Sequence, residues 1–398
     1  MKVGFISDCH LGYKTGKKTT ETRVNLREQD GLDAFEESIL DMIDKKVDLV
    51  IIGGDLFDSP NPSINTVVST QKIFEKLTDN KIPCYIITGN HDTSDIKYDH
   101  SASVLVNNKA GGIYSFEEPI VVREMENVRF YFISHQSNEE QAKTFDSLDI
   151  DNDYINIMVT HGSCFDNYMG EIIKNDQEPR EIVIPEKIIE LNWDYILMGH
   201  IHTRGWVHSS DGKTDTANKK QFYGGSLIRR GFADRESPLG RGWTLLNIKD
   251  KENIELKTYE VKQREQYDLF IKCKDKDIAE INSELNKTIK NLKKSDYPIV
   301  RVTFLNLDIN DRPLIDFASL KEITDSFLTF ITKFDLEERL VDGGDVEYNY
   351  ERKDLLSDYK KFWESQSEGI KEDIRKETKE KTEEYIKIGI NNTVGEEE

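Results

Sequence analysis

Five of the eight histidines in this 398-residue chain sit in four short segments, each at the end of an apolar run. The segments are Ser7-Asp8-Cys9-His10, Gly89-Asn90-His91-Asp92, Thr160-His161-Gly162 and Gly199-His200-Ile201-His202. A fifth, Gly53-Gly54-Asp55-Leu56-Phe57-Asp58, has the same form without a histidine. Asp, Asn and His with no matching cysteine pattern suit hard or borderline divalent cations held by oxygen and imidazole. One carboxylate shared by two such cations, ~3.5–4 Å apart, is the arrangement that hydrolyses phosphoesters by in-line displacement. The spacing supports it. In extended chain, Asp8-x-His10 and His200-x-His202 each put both ligands on one side and turn Cys9 and Ile201 away. Asp55 follows two glycines, whose missing side chains allow close approach. Asn90 brings a neutral carbonyl oxygen. Taken singly, each segment reads as an ordinary strand end or turn. Together and in this order they read as a metal site.

Open α/β sheets present their chemistry at the C-terminal ends of strands, so strands must precede these segments. Residues 2–7, 47–54 and 83–89 read as strands, with helices over 29–45 and 64–77 between them. Further strands are expected at 128–134, 154–160, 193–198, 221–224, 242–248 and 254–261, the last three with hairpin-like spacing. An α/β half followed by a more antiparallel group suggests two packed sheets with helices outside. After about residue 262 the character changes. Strands at 267–272, 298–305 and 328–334 and helices at 277–292 and 314–327 form a small α+β unit without a histidine. From residue 346 to the end there are 15 acidic and 10 basic residues. Within this stretch, 353–363 carries Leu355, Leu356, Tyr359, Phe362 and Trp363. That apolar stripe either packs on its own domain or docks into a partner's groove. The tail 391–398 reads as disordered. The domain boundaries are 1–262, 263–341 and 346–398.

A net charge of −21 argues, taken alone, against nucleic acid. The charge is unevenly spread. Between Thr203 and Gly242 lie eight basic residues (Arg204, Lys213, Lys219, Lys220, Arg229, Arg230, Arg235, Arg241) against four acidic ones. A second group, Lys14, Lys17, Lys18, Arg23 and Arg27, follows the first motif. Solubilising loop charge accounts for any one of them. For the two groups together, phosphate contact is the sharper reading. Four cysteines lie far apart with no C-x-x-C pair, which argues against a disulfide framework or structural zinc and fits a reducing compartment. No signal peptide is apparent and no apolar run approaches the ~20 residues of a membrane helix, so a cytoplasmic location, without membrane association, is expected.

The order Asp8-x-His10, Gly54-Asp55-x-x-Asp58, Gly89-Asn90-His91-Asp92, His161 and Gly199-His200-x-His202 resembles the calcineurin-like metallophosphoesterase superfamily. Asp8-Cys9-His10-Leu11-Gly12 with Arg27-x-x-Asp30, and Gly224-Gly225-Ser226, further resemble the Mre11/SbcD nuclease family over roughly residues 1–260. The resemblance implies a four-layer α-β-β-α sandwich with a small α+β capping domain and C-terminal helices. It implies two manganese ions, with magnesium as the other candidate. One would be held by Asp8, His10, Asp55 and His202, the other by Asp55, Asn90, His161 and His200. His91 matches the family's catalytic histidine that is not a ligand. Many members carry histidine where this chain has Asp58, which would either hydrogen-bond a ligand histidine or reflect different handling of DNA ends. Lys14, Lys17, Lys18, Arg229 and Arg230 would steady the DNA backbone. The implied activity is exonuclease action on duplex ends and endonuclease action on single strands. The implied assembly is a homodimer with an SbcC/Rad50-like ATPase docked at 353–363. The alternative is a phosphoesterase on the same scaffold acting on a non-DNA phosphoester.

Overall fold

The computed structural model describes residues 1–93, 100–135, 148, 150–164, 183–184, 186–189, 191–206, 220–232, 240–292 and 296–336. The chain divides after Glu337. The expected docking helix at 353–363, the tail, His208, Lys213, Lys219 and Arg235 lie outside the described residues.

Two six-stranded sheets form the bulk of the first unit, Met1–Glu337. The first contains β1 (Lys2–Ile6), β2 (Leu49–Gly53), β3 (Cys84–Ile87) and β4 (Ile113–Phe116) in parallel, extended antiparallel by β13 (Gly242–Ile248) and β14 (Ile254–Glu260). The second centres on parallel β6 (Val128–Ile133), β7 (Ile155–His161) and β10 (Tyr195–Gly199). Its outer strands are β5 (Val121–Met125), β11 (Gly205–Trp206) and β12 (Gln221–Tyr223). Short β8 (Ser163–Cys164) and β9 (Val183–Ile184) pair separately.

Period-two alternation explains why the sheets stack. On β1, Val3 and Phe5 face the second sheet and Ile6 faces outward; on β2, Leu49 and Ile51 face in while Val50 and Ile52 face out. On the second sheet Phe130, Phe132, Ile157, Val159 and Leu197 meet them, and Tyr131, Ile133, Met158, Ile196 and Met198 form an outer cluster. Strands apolar on both faces belong in sheets covered on both sides. Helices α1 (Leu26–Asp44) and α2 (Ile64–Asp79) cover the first sheet through Leu32, Phe35, Ile39, Met42, Ile73, Phe74 and Leu77. The Asn25 side chain accepts from the Arg27 and Glu28 amides, which starts α1 three residues earlier than the apolar period indicates. Among the described residues, one helical turn, Glu186–Ile189, represents the outermost layer.

Two expectations fail. Residues 221–224 do not join a hairpin with 242–248: β12 pairs parallel to β10 in the second sheet, whereas β13 returns to β1 in the first. Trp243 decides the return. It is buried among the α1 and α2 side chains, stacks on Tyr259 and donates to Asp41 at 2.9 Å. The expected helix over 314–327 is instead three short turns, Arg312–Leu314, Ala318–Leu320 and Lys321–Thr324. Asp316 accepts the Ser319 amide and Asn282 accepts the Asp316 amide, so local side chains take the place of helical bonds.

The small unit is a three-stranded parallel sheet of β15 (Gln266–Lys272), β16 (Ile299–Leu307) and β17 (Thr329–Leu336). One face packs on α3 (Ile278–Lys290) through Ile271, Val300, Val302, Phe304, Ile281 and Leu285. A capping box between Asp277 and Glu280 begins α3.

Candidate metal centre

The five motif segments converge where β1, β2, β3, β7 and β10 end. Backbone bonds knit them: the Asp8 amide donates to the Gly54 carbonyl at 3.1 Å, the His10 amide to the Asp55 carbonyl at 3.0 Å, and the His200 amide to Asp8 Oδ1 at 2.9 Å. The two-residue spacing works differently from an extended strand. Asp8, His10, Asp55 and His200 have φ of 50°, 45°, 50° and 93°. A non-glycine residue there costs roughly 1–3 kcal/mol and persists only where its surroundings impose it. The strain turns Asp8 and His10 inward together while Cys9 stays buried on the helix side.

Asp55 is the hub. Its Oδ2 lies 3.6 Å from His10 Nε2 and 3.4 Å from His161 Nε2, and its Oδ1 accepts the His91 amide at 2.8 Å. On one side His10 Nε2 is 3.0 Å from His202 Nε2, which lies 3.9 Å from Asp8 Oδ1. On the other, Asn90 Oδ1 is 3.0 Å from His161 Nε2 and 3.2 Å from His200 Nδ1. Among the described residues, three clusters could hold a cation: Asp8, His10 and His202; His10, Asp55 and His91; and Asp8, Asp55 and His161.

This donor set fits divalent metal. Asp8 Oδ2 is buried with no hydrogen-bond partner. His161 Nδ1 faces the Gly53 carbonyl at 2.9 Å; a carbonyl only accepts, so Nδ1 carries the proton and Nε2 offers its lone pair to the centre. Without a cation, the electrostatics already suit His200 and His202 as ligands, while Asp8 and His161 hold protons more tightly than usual, and a bound cation would displace them. Burial, partly offset by His161, pushes Asp8 up to about 6. Burial lowers His200 to about 4 and His202 to about 3, keeping both imidazoles neutral as ligands must be. Burial would lower His161 as well, but the Asp55 carboxylate overrides it and holds it at about 9, so Nε2 offers its lone pair only when a cation displaces its proton. Asp55 itself, despite burial, is pulled well below the ordinary range by His161.

Around the hub sit three further groups. His91 Nδ1 faces the Asp58 carbonyl at 3.1 Å, and its ring lies edge-on to His10 at 4.8 Å. The Asp58 carboxylate is 3.4 Å from His10 Nδ1 and accepts from Arg230 Nη2 at 2.7 Å. Arg230 Nη1 lies 3.1 Å from His10 Nε2, and its guanidinium covers the Tyr13 ring at 4.8 Å. Arg230, expected from the sequence to steady the DNA backbone, thus sits within the centre. Asp92 carries a role that the motif concealed. Fully buried, it accepts the Leu56, Phe57 and Gly89 amides at 3.2, 2.9 and 3.0 Å, tying the loop that bears Asp55 to the loop that bears Asn90. The Asp that closes Gly89-Asn90-His91-Asp92 was the available signal.

Several members of the two basic groups meet the protein itself. Arg204, 2% exposed, donates to the Trp243 and Tyr259 carbonyls at 3.2 and 3.0 Å. Arg241 donates to the His202 carbonyl at 2.8 Å, Lys220 to the Trp193 carbonyl at 3.1 Å, and Arg27 pairs with Asp30 at 2.9 Å. Lys14 pairs with buried Glu28 at 3.3 Å and Lys18 lies 5.5 Å above the Tyr297 ring. Lys17 is exposed, and the Arg229 amide donates to Gln263 at 3.2 Å. Long cationic side chains at strand ends satisfy carbonyls that regular pairing leaves over.

Residues 1–204, just over half of the chain, match the family model described as calcineurin-like phosphoesterase. Among solved structures, an archaeal phosphodiesterase is similar over 64% of this chain and 98% of its own, at 14% identity and a TM-score of 0.32. A dimetal phosphatase from Danio rerio is similar over 62% and 91%, at 12% identity and a TM-score of 0.34. Both structural likenesses are too distant to bear on substrate.

Proposed function

The chain belongs to the calcineurin-like phosphoesterase family, and from that premise we propose that it is a manganese-dependent DNA nuclease of the Mre11/SbcD type. Membership makes it a metal-dependent phosphoester hydrolase on a fold that binds two divalent ions. The observation that carries the reading is one carboxylate, Asp55, within 3.6 Å of imidazoles from both halves of the centre, with His91 alongside. Asp8, His10, Asp55 and His202 would hold one cation, and Asp55, Asn90, His161 and His200 the other. Bound there, two cations supply Lewis-acid polarisation of the phosphoryl oxygens and make water a competent nucleophile at neutral pH.

The chain's own residues do the rest. His91 is oriented by the Asp58 carbonyl and, as imidazolium, gives its Nε2 proton to the departing alkoxide as the P–O bond breaks. Arg230, held by Asp58, offers its remaining N–H groups to the non-bridging oxygens, where negative charge builds in the transition state. Asp58, in a position where many family members carry histidine, then serves as the orienter of both groups. The reading includes a homodimer and an SbcC/Rad50-like ATPase docked at 353–363. Removing residues 345–398 should abolish ATPase co-purification and leave manganese-dependent cleavage of a small phosphodiester intact. Co-purification of the truncated chain would sink the docking assignment.

A second reading, a phosphoesterase acting on a non-DNA phosphoester, draws on the inward commitment of Arg27, Arg204, Lys220 and Arg241, which thins the basic surface available to a long polyanion. Linear duplex DNA, a phosphopeptide and a cyclic nucleotide, each assayed with manganese, separate the two. Degradation of the duplex well above the others supports the nuclease. Turnover of either small substrate with the duplex untouched refutes it.

A further inference from the structure

The loop that carries Arg230 gives four consecutive carbonyls to side chains from outside it. Arg27 donates to the Arg229 carbonyl, Tyr13 Oη to Arg230 at 3.1 Å, Gln266 Nε2 to Gly231 at 2.9 Å and Arg301 Nη2 to Phe232 at 3.0 Å. The first two donors belong to the sandwich, the last two to β15 and β16 of the small sheet. Arg301 is itself fixed: Asp268 receives its Nε at 2.8 Å and its Nη2 at 2.5 Å, and its guanidinium lies 4.6 Å above the Phe232 ring. Loop carbonyls at a surface ordinarily bond to water. Gly231 is exposed, so burial does not require the Gln266 partner there. What they do is hold the loop at a fixed distance from both bodies. Arg230, in its middle, reaches His10 and Asp58.

We infer that the small parallel sheet is a positioning element for the centre, with Arg301 and Gln266 as positioning residues that act through Arg230. This rests on the reading of Arg230 as a phosphate-contacting group. Displacement of the sheet relative to the sandwich would move Arg230 against the ligand His10, so a substrate or partner that shifts the small sheet would alter turnover without touching a metal ligand. A misplacement of about 1 Å at a reacting centre costs up to roughly a hundredfold in rate.

The test is a double-mutant cycle on the full chain with manganese. The substrate is whichever of bis(p-nitrophenyl) phosphate or linear duplex the wild type hydrolyses. Arg301→Ala should lower kcat/KM by roughly tenfold or more, mostly through kcat, and by under about twofold when Arg230 is already Ala, since a residue that acts through another has nothing left to act on. Gln266→Leu should show the same pattern. Arg312→Ala, which loosens a contact over Phe334 inside the small unit, should leave kcat/KM unchanged. If Arg301→Ala does not fold, Arg301→Lys enters the same cycle, because an ammonium cannot bridge Asp268 and the Phe232 carbonyl as a planar fork does. An equal loss in both Arg230 backgrounds, or an Arg312→Ala loss matching that of Arg301→Ala, overturns the inference while leaving the phosphodiesterase reading in place. An Arg230→Ala protein of wild-type activity, or a wild type that hydrolyses neither substrate, removes the premise and the inference with it.

Discussion

Gly89 leaves no room for a methyl group, and Gly89→Ala tests the centre without altering any ligand. Its φ lies outside the left-handed region, so alanine brings no backbone strain there, only volume. A Cβ at Gly89 would overlap the Asp55 carboxylate and lie 2.7 Å from its carboxyl carbon, where ordinary contact begins at 3.4 Å. Asp55 Oδ1 and the Asp55 backbone nitrogen lie closer still, so a gap of more than about 0.7 Å must open between two loops that are pinned together. Asp92 holds them through three backbone amides and Asp55 through the His91 amide. Overpacking alone costs about 1–3 kcal/mol. Stretching one or two of those buried hydrogen bonds adds about 1 kcal/mol each. Denaturant unfolding of the metal-free protein should therefore show a loss of about 2–5 kcal/mol. Displacement of Asp55 and Asn90 by this amount should weaken manganese binding, read by calorimetric titration, and lower phosphodiester turnover by roughly tenfold to a hundredfold. Gly231→Ala is the control, since a Cβ there meets nothing within 4 Å. A Gly89→Ala protein with wild-type unfolding, manganese affinity and turnover would refute the close-packed geometry assigned to Asp55.

Three further outcomes follow from the same geometry. His91→Asn should lower turnover by about 10²- to 10⁴-fold while two manganese ions still bind, because the lost group moves a proton; a fall in metal stoichiometry would make His91 a ligand instead. In the metal-free protein, His202 sits below its unfolded value, so it contributes stability that is full above about 6.5 and lost as pH falls toward about 3. His202→Gln should therefore lose less melting temperature than wild type between pH 6.5 and pH 4, and parallel curves would contradict the lowered value assigned to this half-buried ring. Arg204→Met should cost about 1–3 kcal/mol by orphaning the Trp243 and Tyr259 carbonyls, yet leave the salt dependence of DNA binding unchanged. A shallower salt slope would return Arg204 to the phosphate-contacting set.

Much of the architecture was legible because its signals are local. Leu32, Phe35, Ile39 and Met42 recur at helical spacing on the first covering helix, and the Val and Ile run over 50–52, bounded by glycine, reads as a buried strand. The motif segments were equally readable, since Asp, Asn and His at strand ends recur with fixed spacing. The helix over 314–327 was misread because an apolar period survives in side chains that bury from three short turns, with Asp316 and Asn282 supplying bonds that a periodicity does not register.

The sequence by itself determined which side chains could bind a cation and which strands would bring them to one edge, because residue type and alternation are properties of short stretches. Only the tertiary structure decided the rest. It turned Asp8, His10, Asp55 and His200 into the centre through left-handed backbone that an extended-strand reading misses. It placed β13 beside β1, a pairing that spans most of the chain and follows from Trp243 burying against α1. It also turned Arg27, Arg204, Lys220 and Arg241 inward and Arg230 to His10. A cation's charge is written in the sequence; whether it meets a carbonyl, a carboxylate or a phosphate depends on which orphaned acceptors the folded chain leaves within its reach.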